Sequence, residues 1–119
     1  MNHFIKDRIK SIGYAFRGAY LLVKTESSIQ IQTGIAILVT IAGFFFEISA
    51  SEWAIQILTI GLIMGVEGVN TSIEKMADFV HPEHHKKIGF IKDIAAGAVF
   101  MTAIAAIVVG LIIYLPKIF

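Results

Sequence analysis

Two long runs without a charged residue constrain this chain more than any other feature. Ile29 to Phe46 is 18 residues with no charge, its only strongly polar members being Gln30 and Gln32, and Ile94 to Leu115 is 22 residues with no charge. Each meets the length of about 17–25 residues that a helix needs to cross ~30 Å of hydrocarbon. The chain has 119 residues, 56% of them hydrophobic and 16% charged, with a mean hydropathy of +0.78. An average soluble domain is about 25% charged, so the runs read as membrane spans. A middle stretch behaves differently. Trp53 to Val66 is apolar but only 14 residues long; it becomes a 21-residue span only by running to Ile73, and it then contains Glu67 and Asn70. A charged residue costs about 2.5–3.5 kcal/mol at the centre of a span and by default marks function. The expected fold is an all-α integral membrane protein, one domain over 1–119, with spans at 29–46, 53–73 and 94–115.

Basic residues set the orientation. Lys6, Arg8, Lys10, Arg17 and Lys24 precede the first span, and Lys75, Lys86, Lys87 and Lys92 lie between the second and third. The first loop, Glu47 to Glu52, has no Lys or Arg, and the C-terminal tail has only Lys117. Nine of ten positive charges thus fall on one side, which is expected to be cytoplasmic, with the N-terminus inside and the C-terminus outside. Trp53, Tyr114 and Pro116 fit the outer boundary. Residues 1–25 have no apolar core ending in a small-residue cleavage site, so they do not read as a cleaved signal peptide. Their apolar members Ile5, Ile9, Ile12, Phe16, Tyr20 and Val23 share one helical stripe, with Lys6, Lys10, Arg17 and Lys24 beside or opposite it. That pattern predicts an amphipathic helix lying on the membrane surface; a simple orientation anchor is the plainer role. A net charge of +1 gives no footprint for nucleic acid, and the lack of cysteine excludes disulfides and thiolate chemistry. Gly61 with Gly65, and Ala98, Thr102, Ala106 and Gly110, form small-residue rows that let helices approach closely. Three spans bury little surface alone, so oligomerisation is expected.

Glu67, Asn70, Glu74 and Asp78 are spaced 3, 4 and 4, which puts all four on one narrow helical stripe. Fourteen residues below Trp53, at ~1.5 Å each, Glu67 lies about 21 Å down the helix. It is therefore expected below the midplane, with Glu74 and Asp78 at or beyond the cytoplasmic face. A carboxylate inside the apolar layer can act as general base toward a hydroxyl presented by a lipid. Carboxylates further out, in water, can bind Mg²⁺, which is usually held by one or two of them plus substrate phosphates. The plainer alternative is a set of polar contacts between helices. Glu26, just before the first span, and Lys92 with Asp93, just before the third, lie near the same face; alone, each reads as a boundary charge. Lys92 can act as a point charge on phosphate. His81-Pro82-Glu83-His84-His85, in the polar loop His81 to Gly89, invites a zinc reading, but its spacing matches no HExxH pattern. There is no P-loop, so any kinase activity needs another phosphate-binding design.

These motifs together resemble a known family. Glu67-Gly-Val-Asn70-Thr-Ser-Ile-Glu74 followed by Asp78 is similar to the ExxNxxxExxxD signature of the small prokaryotic diacylglycerol kinases. Lys92-Asp93-Ile-Ala-Ala-Gly-Ala-Val is similar to that family's entry to the third span, and Tyr14 in IGYAFRG and Glu26 match its N-terminal positions. Glu52-Trp53 and the closing LIIYLPK look closest to the Gram-positive-type branch, whose members phosphorylate undecaprenol. The resemblance implies a homotrimer of three-span subunits, each with a surface helix, and active sites formed between subunits. It implies transfer of the γ-phosphoryl of MgATP to a lipid hydroxyl, undecaprenol preferred, with diacylglycerol as the alternative acceptor. Carried over by motif, Glu67 would be the catalytic base at the lipid hydroxyl, and Glu26 and Glu74 would hold the metal with the nucleotide phosphates. Tyr14, Glu83, His84, His85, Lys92 and Asp93 would line the nucleotide site, with Asn70 and Asp78 in support. Gln32 stands where the diacylglycerol-specific branch can carry an acid, and Asp7, beside Arg8, where Arg can stand; both bear on headgroup contacts. The rival classes are a small proton-coupled transporter, which wants its carboxylate near the midplane, and a non-catalytic assembly subunit.

Overall fold

The computed structural model describes residues 2–119. They form four helices, α1 (His3–Thr25), α2 (Ser27–Phe45), α3 (Ala50–Val80) and α4 (Lys86–Ile118), and no strand among the described residues. Helices α2, α3 and α4 are each long and apolar enough to cross a membrane. Helices α3 and α4 run antiparallel as a long hairpin, tied at one end by Lys92 to Asp78 and at the other by Lys117 to Glu52 at 2.8 Å. Helix α2 packs against α3, and α1 departs from the end of α2, giving a slab of 51 × 49 × 21 Å.

The turns explain the helix ends. The Asn2 side chain accepts from the Phe4 amide at 2.7 Å and starts α1. Between α2 and α3 the chain reverses through Glu47, whose φ of 52° is left-handed. The Ile48 amide donates to the Gly43 carbonyl at 3.1 Å and the Glu47 amide to Phe44 at 3.3 Å, satisfying carbonyls that the helix end leaves open. Ser49 and Glu52 then cap α3 reciprocally, at 3.2 and 2.9 Å. Helix α3 stops before Pro82, which can neither donate nor tolerate a helical residue in front of it. The His85 side chain accepts from the Lys87 amide and starts α4.

Toward the Trp53 end, one buried polar cluster joins all three spans. Gln56 Nε2 donates to the Val39 carbonyl at 3.1 Å, and the Tyr114 hydroxyl lies 2.6 Å from Gln56 Oε1 and 3.0 Å from the same carbonyl. Beneath it, an apolar cavity lined by Ala106 and Gly110 among others separates the helices. The Trp53 ring packs on Phe44 at 4.8 Å and lies over Gly43. A Cβ at Gly43 would come within 2.6 Å of Trp53 Cη2 and 3.2 Å of Ile48 Cδ1. Gly43→Ala is therefore expected to destabilise the fold by about 1–3 kcal/mol, the usual cost of overpacking. Thermal unfolding in detergent micelles measures it; an unchanged midpoint would mean that the indole swings aside freely.

The helices outrun the expected spans. The loop expected to reach Gly89 closes at His85, because His85 supplies the cap and Lys86 to Gly89 form the first turn of α4. Lys92 and Asp93 are consequently inside α4 rather than ahead of a helix. The turn expected over Glu47 to Glu52 is shorter, since Ala50 already begins α3. Gly61 and Gly65 meet nothing within 4 Å of a Cβ built on them, so this pair packs against no other element of the chain. No residue of α1 is buried, and Ile5, Ile9, Ile12 and Phe16 are all exposed.

Candidate active site

The elbow between α1 and α2 meets the middle of α3, and the acidic residues gather there. Glu26 is the only residue between the two helices and its backbone is extended, with φ −104° and ψ 115°. Its carboxylate pairs with Lys75 of α3 at 3.2 Å. One turn earlier on α1, Leu22 reaches Gly68, where an added Cβ would stand 3.0 Å from Leu22 Cδ1. Gly68 is thus the notch that lets α1 approach α3 beside Glu67. Ile29, in the first turn of α2, is 2% exposed and seals the junction.

Glu67 is 8% exposed, although it is a carboxylate in a span. Ser28 and Asn70 present polar side chains to it, and Glu74 and Glu26 are its nearby carboxylates. Asn70 is buried as well; its Nδ2 donates to Glu74 Oε1 at 3.2 Å, while its Oδ1 has no partner among the described residues. Three of the expected residues of α3 and one from the elbow therefore converge. A buried carboxylate flanked by two others is costly to assemble without a cation. The donor set is all oxygen, which suits a hard ion such as Mg²⁺. Glu26 is already paired with Lys75 and Glu74 accepts from Asn70, and no three carboxylates among the described residues stand close enough to hold an ion by themselves, so an ion here would draw its remaining ligands from elsewhere.

A second group forms at the α3–α4 connection. Asp78, Glu83, His84, His85 and Lys92 line a polar cavity of about 240 Å³, with Lys92 paired to Asp78. The five-residue loop brings these side chains together by folding Glu83 to His85 back toward the second turn of α4. Among the described residues no three His, Asp or Glu side chains gather into a group that could hold a metal ion. The zinc reading of the loop thus finds no ligand set. Two expected residues stay apart from both groups. Tyr14 is 70% exposed on α1, and Asp93 is exposed on α4 with no ion-pair partner among the described residues. Gln32 does not join the carboxylates either; it lines the apolar cavity between the spans.

Reasoning from the sequence missed Ser28, Lys75 and Gly68. Their signal was present: Gly68, Thr71 and Lys75 are spaced 3 and 4, one helical face next to the acidic stripe, and Leu22 on α1 and Glu26 just beyond its end are spaced 4. The two faces meet.

Fold and site define a multi-pass membrane protein with buried acid chemistry at one level of its second span. Residues 13–114 match the prokaryotic diacylglycerol kinase family, and the chain belongs to that family of lipid kinases. It is 40% identical over 108 residues to an undecaprenol kinase of Bacillus subtilis (strain 168), covering 91% of this chain and 88% of that one. It is 35% identical over 107 residues to a diacylglycerol kinase of Synechocystis, covering 89% of this chain and 61% of the relative. It is 29% identical over 101 residues to a diacylglycerol kinase of Escherichia coli (strain K12), covering 84% and 82%. A transporter finds no support in these similarities.

Proposed function

We propose that this chain transfers the γ-phosphoryl group of ATP, bound with Mg²⁺, to the hydroxyl of undecaprenol at the cytoplasmic face of a prokaryotic membrane. The observation that carries the reading is the buried Glu67 with Glu74 and Glu26 as neighbours. The acceptor reading draws on the 40% identity to a kinase named for undecaprenol. Diacylglycerol is the second candidate acceptor, because the other relatives are named for it.

Glu67 would take the proton of the lipid hydroxyl as its oxygen attacks the γ-phosphorus and the bond to the β-phosphate oxygen breaks, releasing ADP. Ser28 and Asn70 would keep that carboxylate aimed. Glu26 and Glu74 would hold Mg²⁺, which when bound neutralises phosphate charge and fixes the phosphates in line. Asn70 would orient Glu74 through its amide. Lys92 would exchange Asp78 for a phosphate oxygen, and Glu83, His84 and His85 would border the nucleotide, with Tyr14 and Asp93 recruited on binding or from a neighbouring subunit. Phosphoryl transfer asks mainly for positioning and charge neutralisation, and these residues supply both.

The cytoplasmic orientation of the N-terminus and of the α3–α4 connection rests on the bias of nine of ten Lys and Arg to one side. Helix α1 would lie on the membrane surface with its exposed apolar stripe in the lipid, and α2 to α4 would cross. A homotrimer accords with the unpartnered Gly61 and Gly65 and with the apolar surfaces that α2, α3 and α4 leave exposed. Purified protein in mixed micelles with labelled ATP, given undecaprenol or diacylglycerol, tests the reading. Labelled undecaprenyl phosphate is expected to dominate. Dominant labelled phosphatidic acid would reassign the acceptor, and no labelled lipid would end the kinase reading.

A further inference from the structure

Gln30 has no place in the chemistry above, yet its side-chain amide nitrogen has two backbone partners. A helix leaves its last four carbonyls without an intrahelical donor. At the end of α1 the Leu22 carbonyl accepts from the Glu26 amide at 3.0 Å. The carbonyls of Val23 and Lys24 each accept from Gln30 Nε2, both at 3.1 Å. The Gln30 backbone amide meanwhile donates to the Glu26 carbonyl at 3.0 Å. A primary amide has two N–H donors, and here each finds one of the carbonyls that α1 leaves open. Backbone and side chain of Gln30 therefore bracket Glu26 from both sides. Thr25 completes the turn, its hydroxyl donating to the Leu21 carbonyl at 2.7 Å.

What this bracket fixes is an angle. Glu26 alone links a 23-residue helix to α2 through an extended backbone, so its two soft dihedrals set where α1 points. They also set where the Glu26 carboxylate stands relative to Glu67 and Glu74. Leu22 against Gly68 and Ile29 in the junction hold the same elbow by packing, but neither engages the open carbonyls. We infer that Gln30 is a positioning residue that locks the α1–α2 elbow and thereby holds Glu26 in register with the carboxylates of α3. This rests on the proposed role of Glu26 toward Mg²⁺ and the nucleotide.

The test compares Gln30→Leu, which removes both donors at similar size, with Gln30→Arg, whose guanidinium keeps several. Amide hydrogen exchange at Glu26 and Gln30 reads the elbow; steady-state kinetics in mixed micelles read the site. Losing two net hydrogen bonds, each worth about 0.5–1.5 kcal/mol, predicts faster exchange at both amides in the Leu variant. With it goes a rise of about five- to ten-fold in KM for MgATP, while kcat and the KM for lipid change less than about two-fold. The Arg variant is expected to stay close to the parent protein in all four. Unchanged exchange in the Leu variant overturns the lock. Faster exchange with an unchanged KM for MgATP, or a loss confined to kcat, overturns the positioning role. Should the Leu variant fail to assemble, Gln30→Asn decides, since its amide is one methylene short: the same rise in KM supports the inference and a normal KM overturns it. Parent protein that labels no lipid would end the kinase reading by itself, and the exchange measurement would still decide whether Gln30 locks the elbow.

Discussion

Glu67→Gln is expected to lower kcat by about 10²- to 10⁴-fold, the usual contribution of a positioned general base, while nucleotide affinity and assembly stay near those of the parent protein. The substitution keeps the shape of the side chain and removes only its capacity to take a proton. Glu67 is buried at 8% exposure among Ser28, Asn70, Glu26 and Glu74. An amide of the same size occupies the same buried position beside Gly68, so the packing of α3 against the elbow persists. It also removes one of three neighbouring carboxylates, so the folded state loses a repulsion rather than a support. Turnover with labelled ATP and an equilibrium nucleotide-binding measurement, made on the same preparation, check the result. Turnover within a few-fold of the parent would take Glu67 out of the base role. A parallel loss of nucleotide affinity would move Glu67 into the metal shell instead.

Much of this arrangement was legible before any coordinates. Helical periodicity alone put Glu67, Asn70, Glu74 and Asp78 on one stripe, because an α-helix has a fixed pitch and side chains on it have little choice of direction. Two spans followed from length and the absence of charge, and the third from length once Glu67 and Asn70 were admitted to it. What stayed hidden depended on how separate helices meet. Nothing local to Leu22 says that it will seat in a notch at Gly68, or that Lys75, outside the acidic stripe, will pair with Glu26. Gln30 was hidden for a similar reason. Inside an uncharged run it reads as a tolerated polar residue, and its purpose emerges only once α1 ends one residue before Glu26 and leaves two carbonyls within reach. The start of α4 is not legible in composition because a cap is a side-chain event. Lys86 to Gly89 look like loop by composition, but His85 accepts from the Lys87 amide and begins the helix early.

Glu74→Gln separates the metal role from the base role. Asn70 Nδ2 donates to Glu74 Oε1 at 3.2 Å, and a glutamine carbonyl oxygen can take the same hydrogen bond, so the substitution leaves the side chain where it is and removes its charge. Mg²⁺ is usually held by one or two carboxylates plus substrate phosphates, so removing one of the two proposed ligands would be a large change. The expected outcome is at least about a ten-fold rise in both the KM for MgATP and the Mg²⁺ concentration for half-maximal rate, with the KM for lipid unchanged. That pattern is the reverse of the one expected for Glu67→Gln, in which kcat falls and nucleotide binding holds. Glu26→Gln should resemble Glu74→Gln, because both carboxylates would serve one ion, and the double variant should cost clearly less than the product of the two singles. Glu26 also pairs with Lys75, so Lys75→Ala frees a proposed ligand from a competing cation and is expected not to raise the Mg²⁺ requirement, in contrast to the loss of either carboxylate. An unchanged Mg²⁺ dependence in Glu74→Gln would argue against ligation there. Full additivity of the two singles would argue that Glu26 and Glu74 act on different things.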